Sequence, residues 1–167
     1  MIVLGVDPGL NATGVGVILA EGPRWSLLYA GDLRPPKGGT LPERLHFLHE
    51  GITQVIRRSA PAAMVLESVF THERYPNTAA KMAHARGVAC LCAQEQGLTL
   101  AEYSPARIKK AVTGNGNASK DQVARMMTQW LGPLDAGLSL DATDALALAV
   151  AHVHMAAQRQ LLAGVLK

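Results

Sequence analysis

The sequence predicts an α/β fold, a mixed five-stranded sheet flanked by helices on both faces. Three observations predict it. Residues 2–6, 13–19 and 25–33 are three consecutive strand-like runs at the start of the chain. A helix with apolar residues at helical spacing follows them. From there, short apolar runs alternate with helical patterns, the mark of parallel strands joined by crossovers. The 167 residues suffice for one domain with its own core, expected over 1–158 with a C-terminal tail at 159–167.

Each element has a local reason. IVLGV is a continuous apolar run ending at Asp7, and PGLNA separates it from TGVGVIL, so strand, turn and strand follow one another. WSLLYAGDL makes a third strand, which RPPKGG terminates because it can extend neither a ladder nor a helix. Thr40 with Glu43 three residues on forms a capping box, and Leu41, Leu45, Leu48, Ile52, Val55 and Ile56 recur on one helical face. AAMVL is a fourth strand ending at Glu67. Asn77 to Gln96 is an Ala-rich helix stopped by Gly97, and LTLAEY is a fifth strand. Ser104-Pro105 starts a short helix carrying Arg107, Lys109 and Lys110, and the Gly114–Asn117 stretch after it is expected to be mobile. Ser119 and Gln122 cap a helix with Val123, Met126, Met127 and Trp130 on one face, and the last helix starts near Asp141 and passes His154.

Composition narrows the function. Hydrophobic residues at 49% and charged residues at 17% exclude disorder, and no apolar run approaches the ~20 residues of a membrane helix. MIVLGVD enters a strand with no export signal, so a cytoplasmic location without membrane attachment is expected. Cys90 and Cys92 sit in an apolar helical stretch without zinc spacing and read as reduced, buried thiols. The six histidines make no ligand set. A net charge of +3 permits nucleic-acid binding without establishing it.

Four acids carry the chemistry. Asp7 and Glu67 stand at the carboxyl ends of two predicted buried strands, the sheet edge where α/β sites form. Asp141 and Asp144 lie three apart at the start of the last helix, hence on neighbouring positions of one face. If that helix crosses the strand ends, four carboxylates converge, and such a cluster requires cations. All-oxygen ligands suit magnesium, and two such ions ~3.5–4 Å apart can activate water and stabilise the leaving oxygen of a phosphodiester. The same residues have structural readings. Asp141 can cap the helix with Asp144 at its third position, Asp7-Pro8-Gly9 can be turn chemistry, and any one basic residue can be solvated surface.

The motifs VDPGLNATGVGVI, LESVF, HARGVA and LDATDALALAV, in this order and at these separations, resemble the RuvC family of Holliday-junction resolvases over nearly the whole chain. The resemblance implies an RNase H-like fold and a crossover junction endodeoxyribonuclease. Such an enzyme makes symmetric, metal-dependent nicks in two opposing strands of a four-way DNA junction during recombination and DNA repair. It implies Asp7, Glu67, Asp141 and Asp144 as catalytic metal ligands for Mg2+, with Mn2+ as a substitute and two ions per site. It also implies Lys109 and Lys120 as catalytic residues on DNA phosphate, and Phe70 as an aromatic residue beside the active site. Arg74 and Arg107 join Phe70, Lys109 and Lys120 as expected DNA contacts, although THERYPNTAAK departs most from the family pattern. A homodimer is implied as well, with the small-residue Asn77 helix as a candidate interface, and the branch-migration proteins RuvA and RuvB are candidate partners. Rival readings are another RNase H-like nuclease, such as an RNA:DNA hybrid hydrolase or a YqgF-like protein, an actin-like phosphate-binding domain, and a junction-binding protein without catalysis.

Overall fold

Strands β1 (Ile2–Asp7), β2 (Thr13–Glu21) and β3 (Arg24–Leu33) form an antiparallel meander, with the apolar residues of β1 and β2 alternating between two buried faces and β3 more exposed at the sheet edge. The structure is a computed structural model that describes residues 1–68 and 76–165, with side chains described for 1–68 and 79–159. Helix α1 (Leu41–Ser59) follows, opened by the expected capping box, with the Thr40 amide donating to Glu43 Oε2 at 2.7 Å. Strand β4 (Ala63–Glu67) then enters the sheet beside β1, in parallel, and β5 (Thr99–Tyr103) adds in parallel beside β4 after helix α2 (Pro76–Glu95). The order across the sheet is β3-β2-β1-β4-β5. Helices α3 (Pro105–Thr113), α4 (Lys120–Leu131) and α5 (Leu140–Val165) complete the chain.

Period-two alternation divides the core. Leu4, Val6, Val15, Val17, Met64 and Leu66 face α1 and α2, burying Ile52, Ile56, Ala89 and Cys92. Val3, Ile18, Val65 and Tyr103 face α3, α4 and α5. Both faces are covered, so the mixed sheet flanked by helices on two sides is the architecture observed.

The seating of α5 is set by missing β-carbons. Gly5 of β1 pairs with Gly16 of β2, and Gly14 pairs with Asp7, so all four lie on the α5 face. A β-carbon on Gly5 would fall 1.9 Å from the Ala145 carbonyl oxygen, and one on Gly14 would fall 2.0 Å from that of Asp141. Only glycine allows this approach. The helix answers with small residues, and Ala142, Ala145 and Ala149 are fully buried.

Three expectations are adjusted. Helix α5 runs on to Val165, so the segment expected as a tail from 159 continues the helix. The Gly114–Asn117 stretch, expected to be mobile, is a stitched turn in which Thr113 Oγ1 accepts from the Asn115 amide at 3.1 Å and Asn115 Oδ1 from that of Asn117 at 3.0 Å. The Asn77 helix begins one residue earlier, at Pro76. Among the described residues no helix is long and apolar enough to cross a membrane.

Candidate active site

Asp7 and Glu67 end adjacent parallel strands. The β1–β4 register pairs Val6 with Leu66, so the two acids occupy the next position on each strand and project to the α5 face. The turn after Asp7 is held by Thr13, whose Oγ1 donates to the Gly9 carbonyl at 2.9 Å and accepts from the Gly9 amide at 3.2 Å. Pro8-Gly9 is therefore turn chemistry as well as the seat of the acid, and the two readings of that motif coexist.

Asp141 and Asp144 lie in the first turns of α5, directly over this edge. Asp141 is not the helix cap. Ser139 takes that role, its Oγ accepting from the Ala142 amide at 3.0 Å while donating to Asp32 Oδ1 of β3 at 2.6 Å. Arg34 holds the other oxygen of Asp32 at 2.6 Å. A serine cap fixed to the sheet thus sets where α5 starts, and both Asp141 and Asp144 are left free of capping duty. Sequence reasoning missed Ser139 and Asp32, whose contact spans 107 residues. The signals available were a serine three residues before Ala142 and an aspartate next to the last residue of a strand.

The charges of the other three acids all act on Asp7. Burial raises the pKa of Asp7 to about 7, with further rises from the charges of Asp144, Asp141 and Glu67 and an opposing pull from Lys120. Glu67 is solvent-accessible, yet the atoms packed around it desolvate it and Asp144 repels it, so its pKa is also raised against the pull of Lys120 and Lys109. Lys120 is the positive counterweight. Its Nζ donates to Asp144 Oδ2 at 2.8 Å, and that bond, with the neighbouring negative charge, raises its own pKa.

Capping brings Lys120 there. The Ser119–Gln122 box fixes the start of α4, and its far end is pinned where Trp130 stacks on Trp25 at 4.6 Å and donates from Nε1 to the Val112 carbonyl at 3.2 Å. Lys109 approaches from α3, capped by Ser104. Arg107 lies elsewhere. Its guanidinium sits 5.1 Å from the centroid of the Tyr103 ring, and with Lys110, Trp130 and His154 it lines a separate cavity of about 560 Å³. Phe70 and Arg74 fall outside the described residues.

Four carboxylates with no His or Cys among them form a hard oxygen donor set, suited to magnesium or manganese. Lys120 holds Asp144 at 2.8 Å, and among the described residues no three acidic, His or Cys side chains are gathered as a ready ligand cage. The Lys120 ammonium bonds to Asp144, and burial followed by the charges of Asp144, Asp141 and Glu67 raises the pKa of Asp7, so added positive charge would favour its carboxylate form. The donor set therefore fits a divalent ion.

Comparison with known proteins identifies the family of the chain. The family model described as crossover junction endodeoxyribonuclease RuvC matches residues 3–152. The crossover junction endodeoxyribonuclease RuvC of Rhodopirellula baltica is 42% identical over 154 residues, covering 92% of this chain and 86% of the relative. A Thermus thermophilus RuvC structure aligns with a TM-score of 0.87 at 32% identity, covering 95% of this chain and 96% of that one. The T. thermophilus RuvC in complex with Holliday junction substrate aligns at 0.86 and 30% identity, covering 93% and 94%. The sheet is thus the RNase H-like one that the resemblance implied. With a family model spanning most of its length and a relative of this identity along nearly the whole chain, the protein belongs to the RuvC family of crossover junction endodeoxyribonucleases.

Proposed function

We propose that this chain is a structure-selective endodeoxyribonuclease that resolves four-way DNA junctions in recombination and repair by symmetric, metal-dependent hydrolysis of phosphodiesters. The observation that carries the reading is the gathering of Asp7, Glu67, Asp141 and Asp144 at one sheet edge, where the charges of the other three all act on Asp7, beside Lys120 and Lys109. Asp7, Glu67, Asp141 and Asp144 would hold magnesium, two ions per site with manganese as a substitute. Such ions supply Lewis-acid charge that polarises the phosphate and makes water a nucleophile near neutral pH.

The chain's own groups have separate tasks. Asp7 and Glu67, fixed on neighbouring strands, present carboxylates from the sheet, and Asp144 presents one from the helix above. Lys120 and Lys109 stand at the rim, where an ammonium takes a phosphate oxygen as the backbone enters. Phe70 and Arg74, three and seven residues beyond Glu67, and Arg107 on α3 are proposed as further DNA contacts.

Paired nicks need paired sites. One centre per chain reaches one strand, so we assign a two-fold homodimer. Supporting it is an exposed stripe of Ala80, Ala83 and Gly87 on α2, small enough for close approach of a second helix, with the apolar Leu91 exposed one turn further on. We place the activity in the cytoplasm, with RuvA and RuvB as candidate partners on family grounds alone. The test offers the purified chain a synthetic four-way junction, a plain duplex and an RNA:DNA hybrid, each with magnesium and with chelator. The reading expects cutting of the junction alone, with magnesium. Preference for the hybrid, or for plain duplex, would contradict it.

A further inference from the structure

Glu67 is the last residue of β4. Its carboxylate faces α5, but its backbone is gripped from the opposite face of the sheet. Arg86 of α2 donates from Nη1 to the Glu67 carbonyl oxygen at 2.6 Å, and its Nη2 pairs with Glu102 Oε1 on β5. Leu66 is registered against Glu102 and Glu67 against Tyr103, while the Ser68 amide donates to the Tyr103 carbonyl at 2.8 Å. The guanidinium therefore bridges the carboxyl ends of both strands. Its side chain is only 15% exposed, and a planar fork held between a carbonyl and a carboxylate has little freedom left.

We propose that Arg86 is a positioning residue for strand cutting: by tying the Glu67 carbonyl to Glu102 it fixes where the Glu67 carboxylate stands relative to Asp7 and Asp144. The inference rests on the role given to Glu67 above and goes beyond it, since Arg86 bonds to the Glu67 backbone and to Glu102 rather than to the carboxylates of the four clustered acids. It also ties α2, which carries the exposed small-residue stripe, directly to a strand of the active centre. Loosening this grip leaves the core and the basic surface in place. The loss should therefore appear in divalent-ion affinity and in the cutting step, not in junction binding.

The full-length chain is compared with Arg86→Met, which keeps the apolar stem and removes the donors, with Arg86→Lys, and with Glu102→Gln. Three readouts are taken: single-turnover cutting of a synthetic four-way junction against magnesium concentration, junction binding in chelator, and Mn2+ affinity of the DNA-free protein by electron paramagnetic resonance. Arg86→Met should cut roughly 10- to 100-fold more slowly, the loss expected from a misplacement of about 1 Å. It should also bind Mn2+ several-fold more weakly while holding the junction within about twofold of the parent. Arg86→Lys should recover part of both losses, because one ammonium serves the carbonyl or Glu102 but does not span them as a fork. Glu102→Gln should shift both in the same direction by a smaller factor, without touching α2, and it decides the matter if Arg86→Met does not fold. Parental rate and Mn2+ affinity in Glu102→Gln and Arg86→Met would overturn the proposal, as would parallel losses of rate, junction binding and thermal stability in both. A parent chain that cuts no junction would instead overturn the proposed function, and the Mn2+ affinities would still report on Arg86.

Discussion

Gly14 and Asp141 meet backbone to backbone: a β-carbon on the glycine would lie 2.0 Å from the aspartate's carbonyl oxygen. Gly14 is also the register partner of Asp7, so one missing side chain brings an acid-bearing helix down onto an acid-bearing strand. Gly14→Ala must push α5 away at its first turn. Overpacking of this kind destabilises by about 3 kcal/mol, which for a chain this size lowers Tm by roughly 6–12 °C. Thermal melts check it, and a Tm within 2 °C or so of the parent would show that the approach is not required.

Removing single negative charges should have the opposite effect on stability. Asp7→Asn, Glu67→Gln and Asp144→Asn each relieve repulsion in the centre, so the metal-free protein should melt at the parent temperature or above it. Each should reduce junction cutting by about a hundredfold or more, the scale of losing a group that stabilises transition-state charge. Variants that melt well below the parent, or lose junction binding, would make these acids structural.

The raised pKa of Asp7 gives stability a definite pH trend in chelator. Its folded value is about 7 against 3.8 for the free side chain, so between these limits the folded state holds a proton that the unfolded chain has released. Stability from Asp7 is full below about pH 4 and declines as pH rises through about 7, by an amount on the order of 4 kcal/mol. Glu67 acts in the same direction. His152, whose pKa burial lowers, acts in the other, so the readout is the difference between the parent and Asp7→Asn. That difference should favour the parent at pH 5 relative to pH 8, and a flat difference across this range would contradict the assignment.

Much of this was legible in the chain. The capping boxes at Thr40 and Ser119 are both formed, and the acids after IVLGV and AAMVL stand at strand ends because apolar runs that must be buried leave little choice of boundary. The last two acids fall on α5 because Asp141 and Asp144 share a helical face. What stayed hidden depends on contacts distant in sequence. Ser139, not Asp141, caps α5 because Asp32 of β3 holds it there, and no local pattern reports that partner. Gly5, Gly14 and Gly16 read as ordinary residues of a buried strand until a helix is laid across them, although glycine inside a strand is itself a sign of close approach. Arg86 sits in a recognisable motif, but its reach to Glu67 and Glu102 follows only from the way α2 crosses the sheet.

Lys120 and Lys109 should separate charge from fold. The Lys120–Asp144 pair is largely exposed, so Lys120→Ala should change stability by less than about 1 kcal/mol. If each ammonium holds a phosphate, either alanine variant should slow cutting and lower the slope of log affinity against log salt by about 1. An unchanged slope with an unchanged rate would return both lysines to the solvated surface.

The most direct measurement maps the cuts made by the native chain on a synthetic four-way junction whose strands are labelled separately, in magnesium and in excess chelator. Four carboxylates serving as one divalent-ion centre per subunit of a two-fold dimer predict nicks at symmetric positions on two opposing strands, ends that a ligase seals, and no cutting in chelator. Undiminished cutting in chelator, or nicks confined to one strand, would contradict that account.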